Sequence, residues 1–517
     1  MKNRVSVVGT STLAVALGLG CGGGPPAKSP TGGNESARAA PAPPPIEKHA
    51  QEKFSAALDA LNGHDKANDW TDAVCADIAK MFESAASSQS SGKFPEATYN
   101  AGLAYQRCGD DKEAKARFQQ ALSDEPKFHF ARAQLALYQF KAEGNVDAAI
   151  GALEQAVTDA NFQNVPALVD LAMFQMMRDS DIVGQNCQAK ASGKDVELHD
   201  FDCAKLNLQR ALAIDDGYMP AFNQLALYYF GSAKKKATVG RRKFGRTIAT
   251  NAALAKRGDV QQLELAALVC SQAVRKNANY APIRNTSGLI LNELGQVNTA
   301  VKEFQAAAQL DPHFFEAQMN LAAINLSFRG FDKAEAAYKK ALEMHANDYD
   351  AHLGLALALR GQIDDTNYDR QLGAVQAELE ACKKIDAARP DAYFNEGILT
   401  QEYKAKGAGG TDKAVVVYQQ AKEIFRSFLD KAAGKPEYDG AVKKTKERMQ
   451  DIDDTITFLQ TGTPSVPAPA SGPPAAPADS GPASAVPAGS AAADAGAPTS
   501  SASGAPEPAP APGKSNK

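Results

Sequence analysis

The chain has 517 residues, of which 44% are hydrophobic and 7% are aromatic, and its 56 basic and 60 acidic side chains give a net charge of −4. This near balance argues against a nucleic-acid-binding protein, which is usually strongly basic. The low aromatic content and the abundant alanine favour closely packed helices over a β-sandwich.

The first 20 residues are typical of a secretory signal peptide. Lys2 and Arg4 supply a positive start, and an apolar stretch follows over residues 5–19. This stretch is too short, and too soon followed by polar residues, for a stable transmembrane helix. We therefore expect residues 1–20 to direct export and to lie outside the folded part.

Cys21 follows this stretch directly, so the segment resembles the lipobox of a bacterial lipoprotein. Gly18 stands where that motif usually has leucine. The resemblance implies a diacylglycerol on the Cys21 thiol and a third acyl chain, such as palmitate, on its amine, which together anchor a protein stably. Gly22, in place of an aspartate, resembles lipoproteins sorted to the outer membrane. The alternative is an ordinary signal peptide with an incidental cysteine.

Residues 21–46 are rich in Gly, Pro, Ala and Ser and predict a disordered tether. Helical spacing of apolar residues then begins and predicts an N-terminal helical cap over 47–94. One apolar stripe contains Phe54 and Leu58, and a second contains Ile78 and Phe82.

A motif with small and large residues at fixed offsets recurs after this cap. Its first copy contains Gly102, Ala114, Phe118, Ala121 and Pro126. The corresponding residues of a later copy are Gly288, Ala300, Phe304, Ala307 and Pro312. A unit of about 34 residues with these offsets is the signature of the tetratricopeptide (TPR) repeat. Small residues are needed where the two helices of a unit cross, and the aromatic residue fills the groove between them.

These copies predict an all-α fold, a right-handed superhelical TPR solenoid of about eight helix pairs over 95–434. The first two units begin at Pro95 and His129, and the third and fourth hold polar insertions near 178–200 and 231–260. The fifth to seventh units begin at Ala281, Phe315 and Tyr349, and the eighth contains Asn395 and Gly397. A capping helix over 435–460 and a disordered Ala/Pro/Ser-rich tail over 461–517 complete the chain.

The first helix of each TPR unit lines a groove that typically takes an extended or helical partner segment. The residues expected to face this groove are Tyr99, Asn100, Gln106, Asn223, Asn285, Asn292, Met319, Asn320, Phe394 and Asn395. Asn100, Asn320 and Asn395 share one repeat position and could bind a peptide backbone or a terminal carboxylate. The lysine of a carboxylate-clamp TPR is missing nearby, and asparagine is frequent at this position in TPR sequences.

The second insertion is basic, with Lys234, Lys235, Lys236, Arg241, Arg242 and Lys243. It is either a solvated loop or an electrostatic site for an anionic partner, such as an acidic protein face, an anionic lipid or a cell-wall polymer.

Six cysteines remain after Cys21, and export would place them in an oxidising compartment. Cys187 and Cys203 bracket the first insertion, and Cys75 and Cys108 lie on neighbouring predicted helices, so these two pairs are the candidate disulfides. Cys270 and Cys382 are predicted to be buried core thiols.

Catalytic constellations, cofactor motifs and metal-ligand spacings are absent from the sequence. The glycine-rich stretch 407–411 lacks the GKS or GKT ending of a phosphate loop. The sequence therefore predicts a protein that is not an enzyme, that needs no cofactor or metal and that does not bind nucleic acid.

The lipobox-like start, the tether, the TPR units with their insertions and the tail together resemble the TPR lipoproteins of the myxobacterial adventurous gliding-motility machinery. The resemblance covers the chain from Cys21 to about Gln460. It implies a lipid-anchored protein in the cell envelope, on the outer membrane and facing the periplasm, that docks envelope proteins of a motility complex. The alternatives are a pilotin-like TPR lipoprotein for pilus or secretin assembly and an accessory of a cell-wall or polysaccharide enzyme.

Overall fold

The structure is a computed structural model that describes residues 45–67, 69–179, 183–191, 194–243 and 249–462. The chain divides into two compact units, unit 1 over Met1–Leu310 and unit 2 over Asp311–Lys517. The signal peptide, Cys21, most of the tether and nearly all of the tail lie outside the described residues.

Unit 1 is built from consecutive helix pairs. Its elements are α1 Lys48–Ala67, α2 Asp72–Ser87, α3 Pro95–Arg107, α4 Asp111–Asp124, α5 His129–Glu143, α6 Val146–Asp159, α7 Val165–Arg178, β1 Val183–Ala191, β2 Lys194–His199, α8 Asp200–Ile214, α9 Met219–Lys243, α10 Ala249–Lys276, α11 Ala281–Glu293 and α12 Val297–Leu310. Each helix packs mainly on its neighbours in the chain, as repeat arrays require.

The helix pairs form because small residues allow close backbone approach at the crossing point. A Cβ atom added at Gly102 of α3 would lie 2.7 Å from the Phe118 ring of α4. Ala114 and Ala121 on α4 are completely buried beside that ring. Side-chain caps fix where several helices begin; for example, Asn145 accepts a hydrogen bond from the backbone N–H of Ala148 at the start of α6.

The first pair, α1 and α2, covers the open end of the array with aromatic side chains. Phe54, Phe82 and Phe94 are buried, and the Phe54 ring lies 5.0 Å from that of Phe94 and 5.7 Å from that of Phe82. A disulfide between Cys75 and Cys108 joins α2 to the end of α3. The beginning of the array is therefore held by both packing and a covalent link.

Both insertions contain secondary structure that the sequence reading did not predict. The first holds a β-hairpin in which β1 pairs antiparallel with β2, with Ala191 opposite Lys194. The second was expected to be a loop, and this was wrong for most of its length. The basic residues 234–243 continue α9, and α10 begins at Ala249. Lysine, arginine and alanine are good helix formers, which explains the extension.

Unit 2 continues the helix-pair pattern. Its elements are α13 Phe315–Ser327, α14 Phe331–Met344, α15 Tyr349–Arg360, α16 Tyr368–Ile385, α17 Asp391–Leu399, a π-helical turn Thr400–Lys404, α18 Thr411–Ala432, a 3-10 turn Pro436–Tyr438 and α19 Asp439–Thr461. The core between α14 and α16 includes Tyr338, Leu355 and Val375.

The last helix, α19, is held onto unit 2 by polar contacts as well as by packing. Arg448 of α19 donates hydrogen bonds to Gln401 and Glu402 in the π-helical turn, each at 2.9 Å. Ile452 of α19 is completely buried against Ala421 and Phe425 of α18. This helix therefore covers the end of unit 2.

The predicted all-α fold, a TPR solenoid of helix pairs, is confirmed, with the β-hairpin as an addition. Among the residues that the structure describes, no helix is both long enough and apolar enough to cross a membrane.

Candidate partner-binding surface

The first helices of the repeats place the ten predicted groove residues at very different depths. Tyr99, Asn100, Asn223, Asn285 and Asn395 are buried; Gln106, Met319, Asn320 and Phe394 are half-buried; Asn292 is exposed. The half-buried and exposed members are the ones whose side chains remain accessible to a partner.

Tyr99 belongs to the core rather than to an open groove. It is 3% exposed, and its ring lies 5.4 Å from that of Phe118, 5.7 Å from that of Phe128 and 5.9 Å from that of Phe130. Burial raises its pKa well above the usual range of a phenol. The expectation that this side chain lines an open groove is therefore corrected, because the aromatic residues at the beginning of α5 cover it.

Buried and half-buried polar residues form hydrogen bonds between successive first helices of unit 1. Gln106 of α3 donates to Gln134 of α5 at 3.2 Å. Thr286 of α11 donates to Asn223 of α9 at 2.6 Å. These bonds fix the spacing of neighbouring repeats, because a buried polar group that loses its partner costs free energy.

Asn100 and Asn395 are two of the three candidate residues for binding a terminal carboxylate. The side-chain amide of each donates a hydrogen bond within its own helix. Asn100 donates to the backbone carbonyl of Glu96 at 2.8 Å, and Asn395 donates to that of Asp391 at 2.9 Å. Asn395 also accepts a hydrogen bond from Arg360 at 3.1 Å. Burial lowers the pKa of the Arg360 guanidinium.

In unit 2 the accessible candidate residues include both apolar and polar side chains. Met319 and Asn320 on α13 are half-buried, as is Phe394 on α17. The Phe394 ring lies 5.2 Å from that of Phe428, which holds it in place. A fixed, partly accessible aromatic ring is a common feature of a protein-binding surface.

One buried acidic residue that the sequence reading missed lies among the first helices of unit 1. Asp170 of α7 is 3% exposed, and burial raises the pKa of its carboxyl to about 7. It occupies the same repeat position as Asn100 and Asn395. In the sequence it is one acidic residue among many, so only the fold reveals its burial.

The basic insertion is helical, and one of its candidate residues has a described side chain. Lys234 is half-buried, with its ammonium nitrogen 4.4 Å from the centre of the Phe230 ring. The side chains of Lys235, Lys236, Arg241, Arg242 and Lys243 lie outside the described part of the structure. A site for an anionic partner here stays a prediction.

Of the cysteines whose side chains the structure describes, some are disulfide-bonded and others are free thiols. Cys75 and Cys108 are joined, and Cys203 is disulfide-bonded too. The side chain of Cys187, the partner predicted for Cys203, lies outside the described part. Cys270 and Cys382 are free and buried, and burial raises the pKa of each thiol to about 12. Such thiols are unreactive at neutral pH.

Across the described ranges, no group of three or more His, Cys, Asp or Glu side chains is placed to hold a metal ion. The contacts seen at the first helices are hydrogen bonds, aromatic contacts and ion pairs.

Comparison with known proteins finds a TPR motif in the sequence and similarity to solved TPR proteins. The tetratricopeptide-repeat family model matches residues 95–127. A comparison with curated proteins finds no match. Among solved structures, a thermophilic TPR protein of Thermus thermophilus is similar over 45% of this chain and 99% of its own, with 26% identity and a TM-score of 0.34.

Two further solved structures are similar over larger parts of the chain. The C-terminal part of a TPR protein of Cytophaga hutchinsonii covers 61% of this chain with 99% of its own, at 13% identity and a TM-score of 0.36. PilW, a type IV pilus biogenesis factor, covers 53% with 99% of its own, at 17% identity and a TM-score of 0.35. The family model thus matches one repeat of the array, and the helix pairs that follow it along the chain have the fold of a TPR solenoid.

Proposed function

We propose that this chain is a non-enzymatic scaffold that docks partner proteins on the first helices of its TPR repeats. The observation that carries the proposal is the set of accessible side chains on those helices, Gln106 and Asn292 in unit 1 and Met319, Asn320 and Phe394 in unit 2. They recur at the same few repeat positions, so a partner segment that follows the helices meets amide and apolar groups in turn.

The proposed location is the cell envelope, with Cys21 lipidated and the folded part facing the periplasm from the outer membrane. The disulfide between Cys75 and Cys108 supports an oxidising compartment, since disulfides are rare in reducing ones. The apolar stretch before Cys21 supports export and acylation. Labelled palmitate should be incorporated into the wild-type protein and not into a Cys21→Ser variant.

The proposed partners are envelope proteins of the adventurous gliding-motility machinery. The support for this choice is the resemblance of the whole sequence organisation to that of its TPR lipoproteins. In this role the repeats would connect a force-generating complex to surface adhesion proteins. The basic end of α9 could add a contact to an anionic polymer, and changing its six lysines and arginines to glutamine would then weaken salt-sensitive binding to purified peptidoglycan.

The test is a crosslinked pull-down of the tagged full-length protein from the membrane fraction, read by mass spectrometry. The control is the same protein carrying Cys21→Ser, which keeps every repeat and loses the proposed anchor. Recovery of motility proteins of the outer membrane and periplasm, reduced in the control, is expected. Recovery of a secretin or of a polysaccharide enzyme instead would overturn the motility assignment and leave a docking scaffold, whereas recovery of no protein would overturn docking itself.

A further inference from the structure

Arg360, the last residue of α15, is a half-buried arginine that forms no ion pair with any described residue. Its Nη1 donates a hydrogen bond of 3.1 Å to the side-chain oxygen of Asn395 on α17, the next first helix. Its Nε and Nη2 have no acceptor among the described residues, and the enclosed atoms that lack a partner do not include them. This edge of the guanidinium is therefore open to solvent and free to bind a ligand.

The other arginines on first helices whose side chains are described are all paired with a carboxylate. Arg178 of α7 occupies the same repeat position as Arg360, six residues after the small residue at the helix crossing. The four ion pairs have distances between 2.6 and 3.3 Å and join Arg107 to Asp65, Arg132 to Asp159, Arg178 to Asp200 and Arg284 to Glu303. Arg360 thus differs from its equivalents in lacking an acidic partner.

Two of these pairs show what the unused edge of Arg360 can hold. Arg178 donates from Nε and Nη2 to the two carboxylate oxygens of Asp200 at 2.7 and 2.6 Å, and Arg107 uses the same two atoms on Asp65, both at 2.7 Å. The hydrogen bonds to Asp200 raise the pKa of Arg178, whereas burial lowers that of Arg360. The charge of Arg360 is partly desolvated without the compensation that a bidentate carboxylate gives.

The acidic side chains closest in the chain to this site are already engaged. The first helices α15 and α17 and the π-helical turn contain four acidic residues. Asp350 and Asp391 pair with Arg389, Glu396 pairs with Lys383, and Glu402 pairs with Lys406 and Arg448. A carboxylate for Arg360 therefore has to come from a bound molecule.

The position of Arg360 indicates which carboxylate this is. In unit 2, α15 contacts both α13, which presents Met319 and Asn320, and α17, which presents Phe394. A segment that follows the first helices passes Arg360 between these residues, in the middle of its path, so a side chain rather than a chain end meets the guanidinium. One guanidinium edge matches the single charge and planar fork of a carboxylate, whereas a phosphate carries up to about two charges.

We propose that Arg360 is the docking point for one glutamate or aspartate side chain of a partner protein segment that lies along the first helices α13, α15 and α17. The inference rests on the proposed docking function and makes it specific, since it assigns an acidic residue to the bound segment. The carboxylate takes the Nε and Nη2 edge, and Asn395 keeps the guanidinium in place through Nη1.

The test uses the purified full chain and two pools of decapeptides with blocked ends. Both pools have the same randomised uncharged flanks; one has a central glutamate and the other a central glutamine. The wild-type protein should retain the glutamate pool at least about tenfold more strongly, which is the effect of a charge-assisted hydrogen bond. Arg360→Gln, which removes the charge and keeps an amide, should abolish this difference.

The matched control is Arg426→Gln, which removes an exposed cation from the second helix α18 of the same unit and should leave the glutamate preference unchanged. A preference that survives Arg360→Gln, or equal retention of the two pools by the wild-type protein, would overturn the inference. Stronger retention of uncharged peptides with a free terminal carboxylate than of the glutamate pool would also overturn it. Partner capture in the pull-down would still stand in each case, so the two proposals fail separately.

Two further measurements separate lost binding from lost folding. Arg360→Glu should reverse the selectivity, so that a pool with a central lysine is retained more strongly than the glutamate pool. The urea midpoint of Arg360→Gln should equal or exceed that of the wild-type protein, because the substitution removes a half-buried charge that has no carboxylate partner. An unreversed preference, or a clearly lower midpoint, would show that the guanidinium serves the fold and would contradict the inference.

Discussion

Tyr438, in the 3-10 turn before α19, donates a hydrogen bond of 2.9 Å to the carboxylate of Asp391, which lies 47 residues earlier at the start of α17. The Asp391 side chain is completely buried. Its second contact is with Arg389, whose guanidinium lies 3.8 Å from the centre of the Tyr349 ring. The connection that leads into the last helix is thus attached to the eighth repeat by a buried polar network.

Tyr438→Phe should loosen this attachment. The change removes the hydrogen bond from Tyr438 and leaves the buried Asp391 oxygen with Arg389, at 3.3 Å, as its remaining partner. We therefore expect a loss of about 1–2 kcal/mol in local stability. Hydrogen exchange should speed up in α19 and stay unchanged in α14. Tyr393→Phe is the matched control, because its hydroxyl makes only an exposed hydrogen bond to the carbonyl of Ala387. Equal effects of the two changes would contradict this account.

Gly354 should tolerate no side chain. A Cβ atom placed there would lie 2.1 Å from the ring of Tyr338, which is itself only 3% exposed and cannot move aside freely. We expect Gly354→Ala to destabilise unit 2 by about 1–3 kcal/mol. Gly373→Ala, in the middle of α16 with open space around it, should instead stabilise by up to about 1 kcal/mol. Urea unfolding of both variants measures the contrast, and a neutral Gly354→Ala would argue against the helix crossing described.

The disulfide between Cys75 and Cys108 should stabilise the beginning of the array. It closes a loop with a sequence separation of 33, which corresponds to about 3–4 kcal/mol in the loop-entropy account. Replacing both cysteines with alanine should lower hydrogen-exchange protection in α2 and α3 and leave α15 unaffected. Unchanged protection in α2 and α3 would show that packing alone holds this end.

The buried carboxyl of Asp170 should give the protein a pH-dependent stability. Its pKa is about 7 in the folded chain and near 3.8 in the unfolded one. Between these values the folded state holds a proton that the unfolded state has released, so stability falls as the pH rises from about 4 to about 7 and is flat above. The loss amounts to at most about 4 kcal/mol.

Asp170→Asn should remove this contribution. Urea midpoints of the wild-type protein and of the variant should agree near pH 4 and separate toward pH 7, with the variant more stable. Parallel curves at all pH values would show that the carboxyl is ionised and solvated in the folded protein.

The free thiols should be inert in the folded protein. Burial raises the pKa of Cys270 and of Cys382 to about 12, and alkylation requires the thiolate. Iodoacetamide at pH 8 should therefore leave both unmodified in buffer and label both in urea, as read by peptide mass. Labelling in buffer at the rate seen in urea would contradict their burial.

The helix pairs can be predicted from the sequence because the residues of the repeat motif pack against each other within one pair. Gly102 and Phe118 are close in the chain, and the Phe118 ring fits against α3 only because Gly102 has no side chain. The spacing of these two residues in the sequence therefore predicts where the two helices cross. The β-hairpin over 183–199 was missed because its residues are mostly polar and show no clear apolar alternation. The helical end of α9 was predicted to be a loop because its three consecutive lysines suggest a solvated, charged segment. Lysine nevertheless favours helices.

The candidate surface was predicted less completely, because burial depends on contacts between distant parts of the chain. Asn292 and Met319 remain accessible, as their repeat positions suggest, but Tyr99 is covered by Phe128 and Phe130 at the beginning of α5. Asp170 is buried, although the sequence around it does not distinguish it from the many other acidic residues of the chain. A repeat motif therefore predicts a candidate surface, and the fold decides which of its residues are exposed.

The most direct test of the docking claim is site-specific photocrosslinking in cells. A benzophenone amino acid at Asn292, exposed on the first helix of its repeat, should crosslink to a partner protein in the membrane fraction. The same amino acid at Gln119, exposed on the second helix of its repeat, should crosslink weakly or not at all. Crosslinks that are absent at Asn292, or equally strong at both positions, would contradict a scaffold that binds its partners along its first helices.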